Sequence, residues 1–143
     1  MMRAAMINSA RPHRPRVTLV PAGGVAETTA PYSHALIVEA GRLVFISGQG
    51  PVDASGNVVG IGDPRAQVRQ VFANLQALVE AAGGSLADIV ELTAYLRDMS
   101  YRSIITEIRQ ELLRPPYPTA TMFEVNRLAF DEWLVEISAV AAL

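Results

Sequence analysis

The chain has 143 residues, half of them hydrophobic and 18% charged, with 14 acidic against 12 basic side chains. That length supports one domain whose core buries roughly two-thirds of the unfolded surface, and the near-balanced charge argues against a nucleic-acid partner. Every basic residue is arginine and cysteine is absent, which excludes a Schiff-base or phosphate-loop lysine, a disulfide, a thiolate nucleophile and a cysteine metal site.

Residues 1–16 carry Arg3, Arg11, Arg14 and Arg16 with Pro12 and Pro15. They read as a flexible basic arm, a solvated tail without the aromatic rings that stack on bases. Residues 17–143 read as a single domain. The arm's short apolar start lacks the core of a signal peptide, and no run reaches the roughly 18 apolar residues of a membrane span. A soluble, cytoplasmic protein without a membrane partner is expected.

VTLV (17–20) is a short strand, followed by the loop PAGGVAETTAP. Two apolar runs, 35–40 and 43–48, flank Gly41-Arg42 and predict a β-hairpin. The stretch 48–64 is rich in turns. Val68, Val71, Phe72, Leu75, Leu78, Val79 and Ala82 form one apolar stripe at helical spacing, with Asp63 as N-cap, Pro64 in the first turn and Gly83-Gly84 as the stop. IVELTAYLRD (89–98) alternates, with Val90, Leu92, Ala94 and Leu96 on one face and Glu91, Thr93, Tyr95 and Arg97 on the other, as in a half-buried strand. Ser100 is placed to cap a second helix with the stripe Ile104, Ile105, Ile108 and Leu112, which RPPYP (114–118) terminates. TATMFEV (119–125) and EWLVEISAV (132–140) are strands. Helices alternating with strands predict crossovers packed on one face of a mixed sheet, leaving the other face to be covered by further copies of the chain.

The last strand raises a question, because Glu136 shares a side with Leu134, Ser138 and Val140. A carboxylate on an apolar, inward or interface-facing side costs several kcal/mol unless it is satisfied. It is either a satisfied polar residue at a subunit contact or a group that works on water in a cleft. Other chemistry finds little support. GQGPVD (48–53) holds GxG but leads into turns rather than a helix, so no dinucleotide site is expected. His13 and His34 have no second ligand at metal-binding spacing, and GxSxG is missing.

PYSHA (31–35), LVFISGQGP (43–51), QVRQVFANLQALVEAAG (67–83), DIVELTAYLRDM (88–99), YPTATMFEV (117–125) and LVEISAVA (134–141) together resemble the Rid family, also called YjgF/YER057c/UK114. The resemblance spans residues 17–143. It implies an α+β fold of chorismate-mutase-like type, a mixed sheet of about six strands with two helices on one face, assembled as a trimer with ligand sites in the clefts between chains. Founding members hydrolyse 2-imino or 2-enamino acids to 2-keto acids and ammonia without a metal or organic cofactor; some relatives were named endoribonucleases. By position, the family's site tyrosine matches Tyr32, the serine and glycine of its SGQ match Ser47 and Gly48, and its water-holding glutamate matches Glu136.

The chain departs from that pattern at the site arginine, replaced by Ala120, at the small or thiol residue replaced by Met122, at the asparagine replaced by Ser100 and at the glutamine replaced by His34. With Phe123, Ala120 and Met122 would form an apolar corner in place of the arginine that forks onto a substrate carboxylate. Arg97, Arg102 and Arg127 remain as alternative anion anchors. The expected function is a cofactor-free deaminase acting on a small enamine or imine outside the usual 2-imino acid specificity. The alternative is a catalytically inactive homologue that binds a small ligand; RNA cleavage draws only on old family names.

Overall fold

The computed structural model describes residues 15–21 and 23–143. All of the predicted arm except residues 15 and 16 therefore lies outside the described residues. Six strands and two helices follow in the order β1 (Arg16–Leu19), β2 (Leu36–Glu39), β3 (Leu43–Gln49), α1 (Pro64–Ala81), β4 (Ile89–Leu96), α2 (Arg102–Leu112), β5 (Thr119–Glu124) and β6 (Val135–Ala142).

The strands divide into a two-stranded ladder, β1-β2, and a four-stranded mixed sheet in the order β3-β6-β4-β5. β6 runs antiparallel to both neighbours, whereas β4 and β5 are parallel. β3–α1–β4 and β4–α2–β5 are thus crossovers, and both place their helix against the same face. The predicted hairpin across Gly41-Arg42 does not form. β2 pairs with β1 from Arg16↔Glu39 to Leu19↔Leu36, while β3 pairs with the C-terminal strand. The connection instead docks on the chain end, where Gly41 N–H and Arg42 N–H both donate to Leu143 O. Tertiary pairing with β6 outcompetes the local turn, because β6 offers a full-length apolar partner that β2 does not.

α1 begins as the sequence indicates, with the Asp63 carboxylate accepting from Ala66 N–H and Pro64 opening the first turn. Its buried side is Gln67, Val68, Val71, Phe72, Leu75 and Val79; Leu78 lies on the exposed side. The predicted cap of α2 moves by two residues. Asp98, not Ser100, accepts the backbone N–H, from Ser100 itself, and a short 3-10 turn at Met99–Tyr101 leads into the helix. These hydrogen bonds from Ser100 hold the Asp98 carboxyl below its ordinary range. Two exposed ion pairs, Arg65–Glu107 at 2.7 Å and Arg69–Glu111 at 2.9 Å, join the helices.

The core lies between helices and sheet. Leu92, Ala94 and Leu96 of β4, Val135, Ile137, Ala139 and Ala141 of β6, and Val68, Val71, Phe72, Leu75, Ile105 and Ile108 of the helices are all buried in one cluster. Each large aliphatic side chain removed from water there contributes about 1.5–3 kcal/mol. β4 differs from simple alternation at its start. An extra residue between Ile89 and Glu91 shifts its register against β6, so Ile89 enters the core and Val90 is only half-buried.

Candidate functional site

The face of the sheet away from the helices carries the polar half of the same strands. Register places Tyr95 opposite Glu136, Thr93 opposite Ser138 and Phe123 beside Tyr95. These side chains form a lateral row over β5, β4 and β6 because residues paired across a sheet share a face. The Tyr95 and Phe123 rings stack with centroids 6.0 Å apart and planes 20° apart.

A bulge in β3 completes the row. Ile46 pairs with Ala139 but Gln49 pairs with Ile137, so β3 holds one residue more than β6 across that interval. Gly48 falls in the interval, directly beneath the Glu136 carboxylate; a Cβ built on Gly48 would collide with Glu136 Oε1. Glycine thus leaves the acid its place, since a side chain here would push the Glu136 carboxylate aside. Gly50 meets the same demand for the Trp133 ring.

α1 fixes both margins of this arrangement from below. The fully buried Gln67 donates through Nε2 to Glu132 O at 2.8 Å and accepts at Oε1 from Leu134 N–H at 2.7 Å, which sets the chain two residues before Glu136. Two turns on, Asn74 Nδ2 donates to Gly50 O and Val52 O at 3.1 and 2.9 Å, which sets the chain two residues after Gly48. Both amides read from the sequence as ordinary helix residues. The only local signal for Gln67 is its place one residue before Val68 on the apolar stripe.

Gly48, Tyr95, Val125, Arg127, Leu128, Ala129, Glu136 and Ser138 line an open groove of about 410 Å³. Glu136 is half-buried and has no hydrogen-bond or ion-pair partner among the described residues. An unpaired carboxylate with reachable oxygens, set in a groove of mixed polar and apolar lining, can hold a water molecule and accept its proton.

The structure brings together only part of the set named from the sequence. Glu136 and Gly48 line the groove, and Phe123 stacks beside it. Ser47 is exposed on β3, and its carbonyl accepts from Gln49 Nε2. Ser100 is exposed on the 3-10 turn before α2. Ala120 and Met122 pair with the core residues Leu92 and Ala94 and pack against the helix-covered core, on the opposite face from Glu136. Tyr32 stands edge-on to His34, with centroids 5.5 Å apart, in a loop that Ser33 ties to the start of β5 through Pro118 O and Tyr117 O. Thr119 pairs with Glu91 while Glu136 pairs with Tyr95, four residues further along β4. The Tyr32 loop and Glu136 therefore lie at opposite ends of the sheet, separated by about 13 Å along the strand direction.

Among the described residues no three His, Cys, Asp or Glu side chains cluster as they would around a metal ion, and His34 Nε2 is hydrogen-bonded with Ala26 O, while His13 lies outside the described residues. No helix among the described residues is long and apolar enough to cross a membrane.

Comparison with known proteins gives this geometry a family. The family model of endoribonuclease L-PSP matches residues 24–143. A RutC family protein of Pyrococcus horikoshii is 40% identical over 111 residues, covering 78% of this chain and 86% of its own. A protein of Dermatophagoides farinae named 2-iminobutanoate/2-iminopropanoate deaminase is 29% identical over 113 residues, covering 79% and 86%. In structure, the Rid-family protein YyfB of Yersinia pestis, itself of unknown function, superposes with a TM-score of 0.80 at 29% identity over 89% of this chain and 98% of its own. The α+β architecture and the match across 24–143 agree, and the chain belongs to the endoribonuclease L-PSP family, that is, the Rid family.

Proposed function

We propose that this protein is a cofactor-free deaminase that hydrolyses a small imine or enamine to a carbonyl compound and ammonia. The observation that carries the reading is Glu136: a carboxylate in a groove, unpaired, with Gly48 leaving it room. A relative named as an imino-acid deaminase supports the reaction class.

An enamine first gains a proton at carbon and loses one from nitrogen, both exchanged with solvent, to become the imine. Glu136 accepts a proton from the water it holds while the oxygen of that water bonds to the imine carbon, and Glu136 then passes that proton to the nitrogen. The resulting carbinolamine returns its hydroxyl proton through Glu136 to the amine. The C–N bond breaks, the C=O bond forms and ammonia leaves. General-base assistance of this kind contributes about 10²–10⁴-fold.

The active form in this proposal is a homotrimer. Phe45 is 77% and Leu43 54% exposed on the face that carries Glu136, a large apolar cost for an isolated chain. Covering that face with further copies removes the cost and closes the groove, and it lets Tyr32 of one copy approach Glu136 of another, which the distance within one chain forbids. Tyr32 then covers or hydrogen-bonds the substrate, and the Ser47–Gly48 backbone supplies polar contacts. Ala120 and Met122 contribute through the core packing beneath the sheet rather than by direct contact, and Ser100, exposed on the turn before α2, is left outside the site.

The test is ammonia release from a panel of enamines and imines by wild type and Glu136→Gln. A fall of about 10²-fold or more in kcat, with the fold and assembly intact, is expected; equal rates remove Glu136 from the reaction. Saturable ligand binding with no turnover on any substrate would instead favour an inactive ligand-binding homologue.

A further inference from the structure

Glu136 is held unevenly by its own sheet. It is the second residue of β6, and β4 pairs it with Tyr95, but the ladder to β3 begins only at the next residue, with Gln49↔Ile137. The end of β6 that carries the acid therefore has no ladder partner on the β3 side. Its approach, residues 132–134, belongs to no strand, so Glu132 O and Leu134 N–H, which are part-buried, have no ladder to satisfy them. Gln67 satisfies both, at 2.8 and 2.7 Å, from the otherwise apolar buried side of α1.

The two bonds straddle Trp133, whose ring packs on Gly50 and lies 5.0 Å from the Phe130 ring between centroids. Asn74, its side-chain oxygen accepting from Gln70 Nε2 at 2.8 Å, holds the other side of the same contact through Gly50 O and Val52 O. Trp133 on Gly50 is thus where the clamped entry to β6 meets the clamped exit from β3. Glu136 lies three residues beyond Trp133, and Gly48 two residues before Gly50. Between Glu136 and Gly48 there is no slack, since even a methyl group on the glycine would collide with the acid. Resting on the deaminase reading, we propose that Gln67 is a positioning residue for Glu136: it fixes the chain on both sides of Trp133 and so holds the carboxylate at the place where water meets the substrate carbon. A misplacement of about 1 Å at a reacting centre costs up to about 10²-fold in rate.

The test separates positioning from stability and from chemistry. Trp133 is the one tryptophan of the chain, so its emission reads this junction alone, and its Nε1 is buried without a partner among the described residues. Gln67→Met keeps the volume and removes both bonds. Gln67→Glu, its carboxyl kept protonated by burial, still donates to Glu132 O and accepts from Leu134 N–H. Val79→Ala opens the core near the far end of α1 and leaves the clamp untouched. In the full-length assembled protein, Gln67→Met is expected to lower kcat by about tenfold with KM nearly unchanged, and to red-shift Trp133 emission as water reaches the ring. Gln67→Glu and Val79→Ala keep kcat and emission near wild type. Gln67→Asn, which keeps the amide but shortens its reach, replaces Gln67→Met if that variant does not fold, with the same expectations. Unchanged Trp133 emission in Gln67→Met overturns the clamp whether or not any substrate turns over. An equal fall in kcat for Gln67→Met and Val79→Ala, or a Gln67→Glu no more active than Gln67→Met, overturns it as well. A Trp133 shift in Gln67→Met together with full turnover by Glu136→Gln leaves the clamp standing and removes the proposed chemistry.

Discussion

The two faces of β6 solve different problems with alternate residues of one strand. Val135, Ile137, Ala139 and Ala141 are no more than 2% exposed and meet the helices. Glu136, Ser138 and Val140 point the other way, half-buried, toward Tyr95, Thr93 and Phe45. On the first face every group is apolar and packed, so a change acts on stability. On the second the carboxylate is unpaired among the described residues and its neighbours are only part-buried, so a change acts on chemistry or assembly. Two arginines extend the contrast. Arg109 of α2 is 5% exposed with Nε and Nη2 unpartnered among the described residues, whereas Arg127 stands in solvent at the groove.

The sharpest way to break this division is at Phe45. Phe45→Asp puts a charge on the open face; if that face joins copies, sedimentation reports monomer in place of trimer and turnover disappears with the closed groove. A trimer that survives the change would place the interface elsewhere.

Neighbouring residues of β6 give the next largest contrast. Ile137→Ala empties a fully buried site and is expected to cost about 2–5 kcal/mol by denaturant unfolding. Ser138→Ala, one residue on and on the groove face, is expected to stay within about 0.5 kcal/mol. Comparable losses at the two positions would mean that the open face is as tightly packed as the core.

Gly48→Ala tests the seat of the acid. Its new methyl would displace the Glu136 carboxylate, so turnover is expected to fall by about tenfold, equivalent to about 1.4 kcal/mol, with the far-UV spectrum unchanged. Full activity in this variant would show that Glu136 need not sit where the structure puts it.

The last expected effect has the opposite sign. Burial lowers the Arg109 guanidinium from its ordinary value to about 10. The unfolded chain keeps this proton to higher pH than the folded one, so stability from this group rises only above about pH 10 and its cost is fully present below. Arg109→Met is therefore expected to stabilise by about 1 kcal/mol, by an amount constant from about pH 5 to 9. Destabilisation instead would reveal that Arg109 has a partner in the assembled protein.

Much of this was legible beforehand. The α1 stripe with Asp63 and Pro64, the apolar alternation of β4 and β6, and the anomaly of Glu136 all follow from periodicities of 3.6 and 2, which are local properties of the chain. The family resemblance then pointed to Gly48, and the bulge places that position where a side chain would displace the Glu136 carboxylate. Tyr95 was readable as part of a polar face but not as the neighbour of Glu136, because cross-strand register is not local.

What the order of residues determined was the identity and facing of the elements: which residues are apolar, at what spacing, and where caps and breakers fall. Tertiary structure alone decided that β3 pairs with β6 instead of β2, that Ala120 and Met122 turn to the core, that Gln67 and Asn74 hold the groove from beneath, and that Arg127 faces the same space as Glu136. The physical reason is that strand partners and groove walls come from segments tens of residues apart. Their meeting depends on which long-range pairing buries most apolar surface, a competition that no local pattern records.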